Sequence, residues 1–262
     1  MKTFKINTLN EASANVLENY LKEHLKNNSF DISSKKDENL FLVNISFVDS
    51  KINCDNFIYY FSNFIIDNYE KKIFNFIIED EYFYFNKNDI NYIYNIYIEL
   101  KSISFENDCL SCIEKNFKFY LKNGDFLDLL GFIHFGIKNY SKKIKEKVDE
   151  SVNSFVVERE YEKFLEMLKS YIETSPSKIY KIHLVYLNSN ATLLDDDGNE
   201  IKLENISSNV ILSDFDFSKN DYVLNTLISL APKEIVLHLL SPCDNFINAI
   251  KEIFTNRVII SN

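Results

Sequence analysis

The strongest constraint on the fold is an apolar repeat that runs through residues 125–174. After Ile137 the apolar residues follow one another mostly in steps of three and four, at Tyr140, Ile144, Val148, Val152, Phe155, Phe164, Leu168 and Tyr171. Such steps place side chains on one face of a helix with 3.6 residues per turn, and we expect this face to pack against a core. Because no proline occurs before Pro176, we predict a long central helical segment that ends just before it.

We expect this segment to be interrupted near its start, since a single helix over the whole stretch would be unusually long. Gly131, Gly136 and Ser141 are the favoured positions, because glycine relaxes the backbone and serine can cap a new helix. The dipeptide Asn123-Gly124 is typical of a turn. The carboxylate of Asp125 is predicted to cap the helix that follows it.

Charges are segregated along the same segment. Lys142 and Lys143 lie in a lysine cluster near its start, whereas Glu158, Glu162 and Glu166 form an acidic ridge further on. We interpret these five residues as a candidate interaction surface for a protein partner. Both groups also have a simpler interpretation as solvated helix faces, and the acidic ridge has a third interpretation as a metal site.

The lysine cluster has two further interpretations. Four-residue spacing predicts ion pairs within the helix, between Lys142 and Glu146 and between Lys145 and Asp149. The lysines from Lys138 to Lys147 are alternatively a contact for nucleic acid or another phosphate-rich surface. No aromatic residues interleave with these lysines on that face, so the solvated face is the favoured interpretation.

The same region resembles a known family. The runs GFIHFGIKNY, VDESVNSFVVEREYEKFLEMLKSYIE, KIHLVY, LLDDDGNEI, DYVLNTLISLAPKEIVLH and IKEIFTNRV are similar, in order and spacing, to the YtxC-like family of sporulation proteins from endospore-forming Firmicutes. The resemblance covers about residues 125–258. It implies a role in spore formation and supplies no reaction and no catalytic residues. In this family a basic residue commonly stands where this chain has Gly136.

The composition is that of a globular protein. The chain has 262 residues, of which 46% are apolar, enough for one large domain or two small ones. A net charge of −10 argues against general nucleic-acid binding. We see no apolar signal core near the start and no run of about 18 uncharged apolar residues. We therefore expect a cytoplasmic protein without a membrane span, with its four cysteines as reduced thiols.

Residues 1–104 are predicted to form an aromatic-rich N-terminal α+β lobe. The pattern predicts these elements in order: strand 3–7, helix 12–25, polar loop 27–39 and strand 40–48. Phenylalanine and tyrosine are dense from residue 57 to residue 100. We expect these rings to pack in a core, because they supply large buried areas to a chain without tryptophan. The alternative is an aromatic surface that binds bases or lipid.

Residues 105–262 are predicted to form the YtxC-like core, with central helices over 105–175 and an α/β lobe over 176–262. The lobe is predicted to contain strand 179–187, a hairpin of strands 192–194 and 200–203 around Asp197-Gly198, helix 221–230, strand 234–240, helix 245–254 and strand 257–260. This order predicts a small C-terminal α/β sheet with parallel pairs. The fold class is therefore mixed α/β, of the α+β kind.

Two short motifs suggest metal binding and have structural alternatives. Cys109 and Cys112 form a lone CxxC, and a zinc site would need two more ligands, so we favour two small core residues. The second motif mimics part of a calcium loop with Asp195, Asp197, Gly198 and Glu204. Its position between short strands favours a hairpin turn instead. We therefore predict no metal site and no cofactor.

The C-terminal lobe supports the alternative hypothesis, a small-molecule hydrolase or transferase. His183 and His238 lie in two predicted strands, where they either face one another or are satisfied core residues. A deep pocket that gathered His238, Ser241 or His183 with an acid such as Asp214 or Asp216 would favour an enzyme.

Ligands of open α/β sheets bind beyond the carboxyl ends of parallel strands. That edge carries Asn188, Asn190, Ser241, Pro242 and Asp244. The favoured interpretation remains a non-enzymatic interaction module with an unknown protein partner. An apolar patch beside the acidic ridge would support it.

Overall fold

The computed structural model describes residues 1–26, 29–201 and 219–261. The chain divides into two compact units, Met1–Val156 and Val157–Asn262. Helices dominate, and each unit has a four-stranded mixed sheet, which confirms the α+β class. The expected division into domains at residue 104 stays a prediction.

Unit 1 combines a sheet with a set of helices. Its elements are β1 (Lys2–Thr8), α1 (Glu11–His24), β2 (Phe30–Asp37), β3 (Leu40–Phe47), α2 (Lys51–Glu81), α3 (Lys87–Glu99), α4 (Ile103–Asn123), β4 (Phe126–Asp128), α5 (Leu129–Gly131), a π-helical turn (Phe132–Gly136) and the first part of α6 (Lys138–Thr174). The strand order is β2-β3-β1-β4. β1 pairs antiparallel with β3 and parallel with β4.

The polar loop predicted at residues 27–39 is wrong, because β2 occupies most of it. Ile32 pairs with Ile45 of β3 and is buried, so the strand has an apolar anchor near its start. The polar run that follows lies on an edge strand of the sheet. Edge strands tolerate charged residues, and their sequence can therefore look like that of a loop.

Aromatic rings form much of the core of unit 1, as predicted. Phe4, Phe57, Phe61, Phe117 and Phe132 are buried. The rings of Phe61 and Phe117 stack with their centroids 4.1 Å apart, and Phe4 meets Phe117 edge to face at 5.8 Å. Full burial of one such side chain contributes about 1.5–3 kcal/mol, so this cluster is a major source of the unit's stability.

The break before the central helix lies where it was expected, but its cap differs. Gly124 ends α4. The carbonyl of the next residue, Asp125, accepts a hydrogen bond from the backbone N–H of Lys5. The capping carboxylate is that of Asp128, which accepts a 2.7 Å hydrogen bond from the N–H of Gly131. The predicted cap at Asp125 is wrong because the chain first pairs with β1.

Unit 2 contains the rest of α6, then β5 (Lys181–Leu187), β6 (Asn190–Leu194), α7 (Lys219–Leu230), β7 (Glu234–Leu239), α8 (Asn245–Ile253) and β8 (Val258–Ser261). The strand order is β6-β5-β7-β8. β7 is parallel to both β5 and β8, which confirms the predicted parallel pairs.

Unit 2 has the predicted antiparallel pairing around Asp197-Gly198, where Leu194 bridges Glu200, and a second hairpin that was not predicted. β5 and β6 pair antiparallel through a tight turn at Asn188 and Ser189, whose φ angles are 50° and 61°. Asp197-Gly198 does form a turn, with a φ of 82° at Gly198. Residues 202–203 of the predicted second strand lie outside the described residues.

The core of unit 2 lies on one face of its sheet. Ile182 and Leu184 of β5 and Ile235 and Leu237 of β7 are fully buried, because alternate residues of a strand point to the same face. The guanidinium of Arg257 donates hydrogen bonds to the backbone carbonyls of Ile172, Ala231 and Pro232. This arginine therefore fixes the end of α6 to the loop after α7.

Candidate functional site

The part of α6 that belongs to unit 2 exposes large apolar side chains. Val157, Tyr161, Phe164 and Tyr171 are 70%, 51%, 48% and 54% exposed. At about 100° per residue these four positions lie on one side of the helix, and we call them the apolar stripe. Met167, beside it, is also exposed. Contiguous exposed apolar side chains are characteristic of interaction surfaces.

The stripe departs from the predicted buried face of the helix. That prediction holds up to Phe155, but Phe164 and Tyr171 are exposed, and Leu165 and Ile172 are buried in their place. The charged run between Phe155 and Phe164 contains no regular apolar anchor. After this run, Leu165 and Ile172 are the helix residues that pack in the core of unit 2. The sequence could not show which of two adjacent apolar residues faces that core.

The acidic ridge and the apolar stripe lie on opposite sides of the buried residues Leu165 and Ile172. Glu158, Glu162 and Glu166 are all exposed, and Leu165 and Ile172 separate them from the apolar stripe. The helix thus presents two different surfaces in unit 2, one apolar and one acidic. The metal interpretation gains no support here, because no group of three or more metal-binding side chains is found among the described residues.

The two lysines of the candidate surface lie in unit 1 and have different surroundings. The Lys142 side chain is 76% exposed, with its Nζ 3.7 Å from Glu146 as predicted. Lys143 is less exposed and donates a 3.3 Å hydrogen bond to Asp108 of α4. Whether these lysines and the acidic ridge bind a partner stays a prediction.

The predicted pair of Lys145 and Asp149 is wrong, because both residues bind to other elements. Lys145 pairs with Glu81 at the end of α2. Asp149 accepts a 2.8 Å hydrogen bond from the hydroxyl of Tyr82. Burial and the neighbouring Asp149 carboxylate raise the pKa of Tyr82. Contacts across the fold therefore take precedence over the local four-residue spacing.

The CxxC motif lies on α4 beside the core. Cys109 is 1% exposed, and burial raises the pKa of its thiol to about 12. Cys112 is half-buried. A thiol with a raised pKa is a poor nucleophile and a poor metal ligand at neutral pH, which agrees with a packing role.

The motif that mimics a calcium loop forms a turn. The carboxylate of Asp195 accepts hydrogen bonds from the N–H groups of Asp197 and Asn199, at 3.0 and 2.8 Å. These bonds, the one from Asn199 first, lower the pKa of Asp195. Its oxygens therefore stabilise the turn, while Glu204 lies outside the described residues.

The two histidines of the C-terminal sheet face one another. Nδ1 of His183 lies 2.9 Å from Nε2 of His238, across the parallel pair β5 and β7. The other ring nitrogen of His183, Nε2, lies 3.4 Å from the carboxylate of Asp196. Lys181 approaches the same carboxylate at 3.8 Å. A carboxylate and two imidazoles thus form a chain that could relay a proton. Asp214 and Asp216 lie outside the described residues.

The carboxyl edge of the same sheet is occupied by bonds within the protein. The N–H of Asn188 donates a 2.8 Å hydrogen bond to the hydroxyl of Ser241. Tyr186 donates to Asp244, and this bond lowers the pKa of that carboxyl. Asp244 also caps α8 through the N–H of Ile247 at 3.2 Å. These polar groups shape turns and a helix start rather than an open ligand site.

A buried ion pair in unit 1 was missed from the sequence. Glu70 of α2 is 7% exposed and contacts Nζ of Lys101 at 2.8 Å. The hydroxyl of Tyr140 donates a 3.2 Å bond to the other carboxylate oxygen. Burial lowers the pKa of Lys101, but Glu70 and Glu106 together raise it above its ordinary value. No local pattern indicates this pair, because its residues are far apart in the chain.

Comparisons with known proteins place the chain in a family. The model of the YtxC-like family matches residues 55–259. The chain belongs to the YtxC-like family. The match confirms the resemblance noted in the sequence, and it reaches further toward the N-terminus than residue 125. It includes the apolar stripe, the acidic ridge and the histidine pair.

One curated relative is the uncharacterized protein YtxC of Bacillus subtilis (strain 168). It is 26% identical over 149 residues, which cover 56% of this chain and 49% of the relative. The chain therefore matches about half the length of this relative. No solved structure matches the chain. In the described ranges, no helix is long and apolar enough to cross a membrane.

Proposed function

We propose that this YtxC-like protein is a sporulation-associated, cytoplasmic and non-enzymatic interaction module that binds a protein partner through the apolar stripe. The observation that supports the proposal is the exposure of four large apolar side chains on one helix, at 48–70%. Burying such side chains against a partner contributes about 1.5–3 kcal/mol each when burial is complete. Aromatic residues such as Tyr161 and Phe164 are also typical anchors of protein interfaces.

The acidic character of the protein supports a partner that carries basic residues. The acidic ridge flanks the helix on the side opposite the stripe, and the chain as a whole carries a net charge of −10. A complementary partner therefore has an apolar centre for the stripe and basic residues that reach the ridge. Charge complementarity of this kind raises the association rate and selects the partner.

The apolar part of the proposal is tested by complementation in a spore-forming host that lacks the protein. Tyr161 and Tyr222 are both 51% exposed, so Tyr161→Ser and Tyr222→Ser are matched variants on α6 and α7. We expect Tyr161→Ser combined with Val157→Ser to lower the yield of heat-resistant spores by about tenfold, as for loss of an interface anchor. Tyr222→Ser should restore the wild-type yield.

Three outcomes separate the parts of this proposal. A null strain that sporulates normally contradicts the sporulation role. A stripe variant that folds and restores sporulation contradicts the role of the stripe. Glu162→Lys tests the ridge, with Glu252→Lys on α8 as a control of equal charge change on an exposed position. Equal yields from these two variants contradict the selection of a basic partner.

A second candidate function is the hydrolase or transferase, and the contact between His183 and His238 favours it. Asp196 can orient the imidazole of His183, which leaves His238 as the base at the end of the chain. The test is hydrolysis of a panel of activated esters and phosphoesters by the purified protein. Activity that falls in His238→Gln and Asp196→Asn but not in His134→Gln supports an enzyme. No activity above buffer contradicts it.

A further inference from the structure

Unit 1 contains a groove that the proposed function does not use. It lies between α2 and the start of α6 and has a volume of about 660 Å³. Its apolar lining includes Tyr69, Ile73, Phe76, Ile77, Leu130 and Ile133. Small-molecule sites typically measure about 300–1,000 Å³ and are mostly apolar, and this groove has both properties.

The π-helical turn Phe132–Gly136 helps to build the groove. It supplies Ile133 and His134 to the lining. A Cβ atom at Gly136 would lie 2.5 Å from Cδ2 of the buried Phe132 ring, so the turn depends on glycine at this position. π-helical turns are rare and occur frequently at functional sites, because they redirect side chains within a helix.

Cations from two helices line the groove. Lys72 comes from α2, and its Nζ lies 4.4 Å from the centroid of the Tyr69 ring. Lys142 and Lys145 come from α6. Two acids, Asp80 and Glu81, are also present. Glu81 pairs with Lys145, and Lys142 is 76% exposed beside Glu146. Lys72 and Lys142 are thus the cations best placed to receive an anionic group.

The chemistry of the lining indicates the kind of occupant. Apolar side chains together with the cations Lys72 and Lys142 suit an amphiphile that has an alkyl chain and an anionic head group. A single alkyl chain fits. We propose that the groove binds a long-chain carboxylate, with the alkyl chain along the apolar lining and the carboxylate at Lys72 and Lys142.

Because the chain contains no tryptophan, one introduced tryptophan reports on the groove alone. Phe76 lines the groove and is 65% exposed, so Phe76→Trp should fold normally. Phe119 on α4 is also 65% exposed and does not line the groove, so Phe119→Trp is the matched control. We expect dodecanoate, below its micelle concentration, to shift the emission of Phe76→Trp to the blue in a saturable manner, with no shift for Phe119→Trp.

Charge and chain length are tested in the Phe76→Trp background. Lys142→Glu should weaken dodecanoate binding about tenfold, whereas Lys138→Glu, an exposed lysine outside the groove, should leave it unchanged. Removing two methylene groups, from dodecanoate to decanoate, should weaken binding about tenfold. The cation dodecyltrimethylammonium should bind at least about tenfold more weakly than dodecanoate, because it lacks attraction to the lysines.

Calorimetry of the unmodified chain with dodecanoate provides an independent readout, and circular dichroism verifies that each variant is folded. The proposal is supported if calorimetry and fluorescence give the same affinity. It is overturned by equal shifts from both tryptophans, by equal binding of the cationic amphiphile, or by absence of saturable binding in calorimetry. If Lys142→Glu leaves the affinity for dodecanoate unchanged, the placement of the carboxylate is overturned.

Discussion

The two parts of α6 differ in how they use the same kind of apolar repeat. In unit 1, Tyr140, Ile144 and Val148 have no exposed surface. In unit 2, Leu165 and Ile172 are buried while the apolar stripe on the flank remains exposed. Periodicity therefore identifies a helix and its apolar residues. The elements packed against the helix determine which of those residues are buried and which remain exposed for binding.

Two valines on α6 test this difference with the largest expected effect. Val152 is 3% exposed and Val157 is 70% exposed. Val152→Asp should lower the free energy of unfolding by about 3–5 kcal/mol, because it buries an unpaired charge. Val157→Asp should change it by at most about 0.5 kcal/mol. Urea denaturation followed by circular dichroism measures both. Similar losses in the two variants would show that the two parts of the helix do not differ.

The buried ion pair of unit 1 predicts the next largest effect. Lys101→Met leaves the Glu70 carboxylate buried and without its cation, which should cost about 3 kcal/mol. Lys143→Met removes the more exposed partner of Asp108 and should cost much less, because solvent screens this pair. The same denaturation experiment compares them. If Lys101→Met is as stable as Lys143→Met, the ion pair does not hold the helices of unit 1 together.

The turn before α6 predicts a moderate effect. Gly136→Ala places a methyl group against the Phe132 ring and should destabilise the protein by about 1–3 kcal/mol through overpacking. Gly124→Ala is the control, because the nearest atom to its added Cβ is 3.7 Å away and its φ of −159° suits any residue. Thermal unfolding measures the difference. A neutral Gly136→Ala would mean that the turn accepts a side chain at this position.

The smallest effect concerns acid stability in unit 2. The bond from Tyr186 lowers the pKa of Asp244 below its ordinary value of 3.8. A carboxyl whose folded-state pKa is lowered contributes stability above its unfolded pKa, and this contribution is lost as the pH falls through the folded pKa. Tyr186→Phe should therefore flatten the dependence of stability on pH below about pH 4. Tyr222→Phe should leave this slope unchanged, and equal slopes in both variants would contradict the assignment.

Local sequence signals predicted most elements of the fold. The repeat after Ile137 predicted α6, and the parallel pairs of unit 2 were predicted from the alternation of strands and helices. β2 was missed because an edge strand can be polar throughout most of its length. The Asp125 cap was wrong because the pairing of β4 with β1 joins distant residues. A local sequence pattern does not show which distant segments of the chain pair as strands.

The sites were harder to predict than the elements. The acidic ridge was visible from its four-residue spacing, and the sequence allowed His183 and His238 to face one another. Phe164 and Tyr171 of the apolar stripe were assigned to the core, because the sequence does not show whether an apolar helix residue is exposed. The groove combines residues of three separate segments, which only the folded chain brings together.

Site-specific photocrosslinking in sporulating cells tests most directly whether the apolar stripe binds a protein. A photoreactive phenylalanine analogue replaces Tyr161 in one strain and Tyr222 in another, two positions with equal exposure of 51%. We expect a discrete crosslinked protein from position 161 only, and its loss when Phe164→Ser is added. No crosslink from position 161, or the same crosslink from both positions, would contradict a binding role for the stripe.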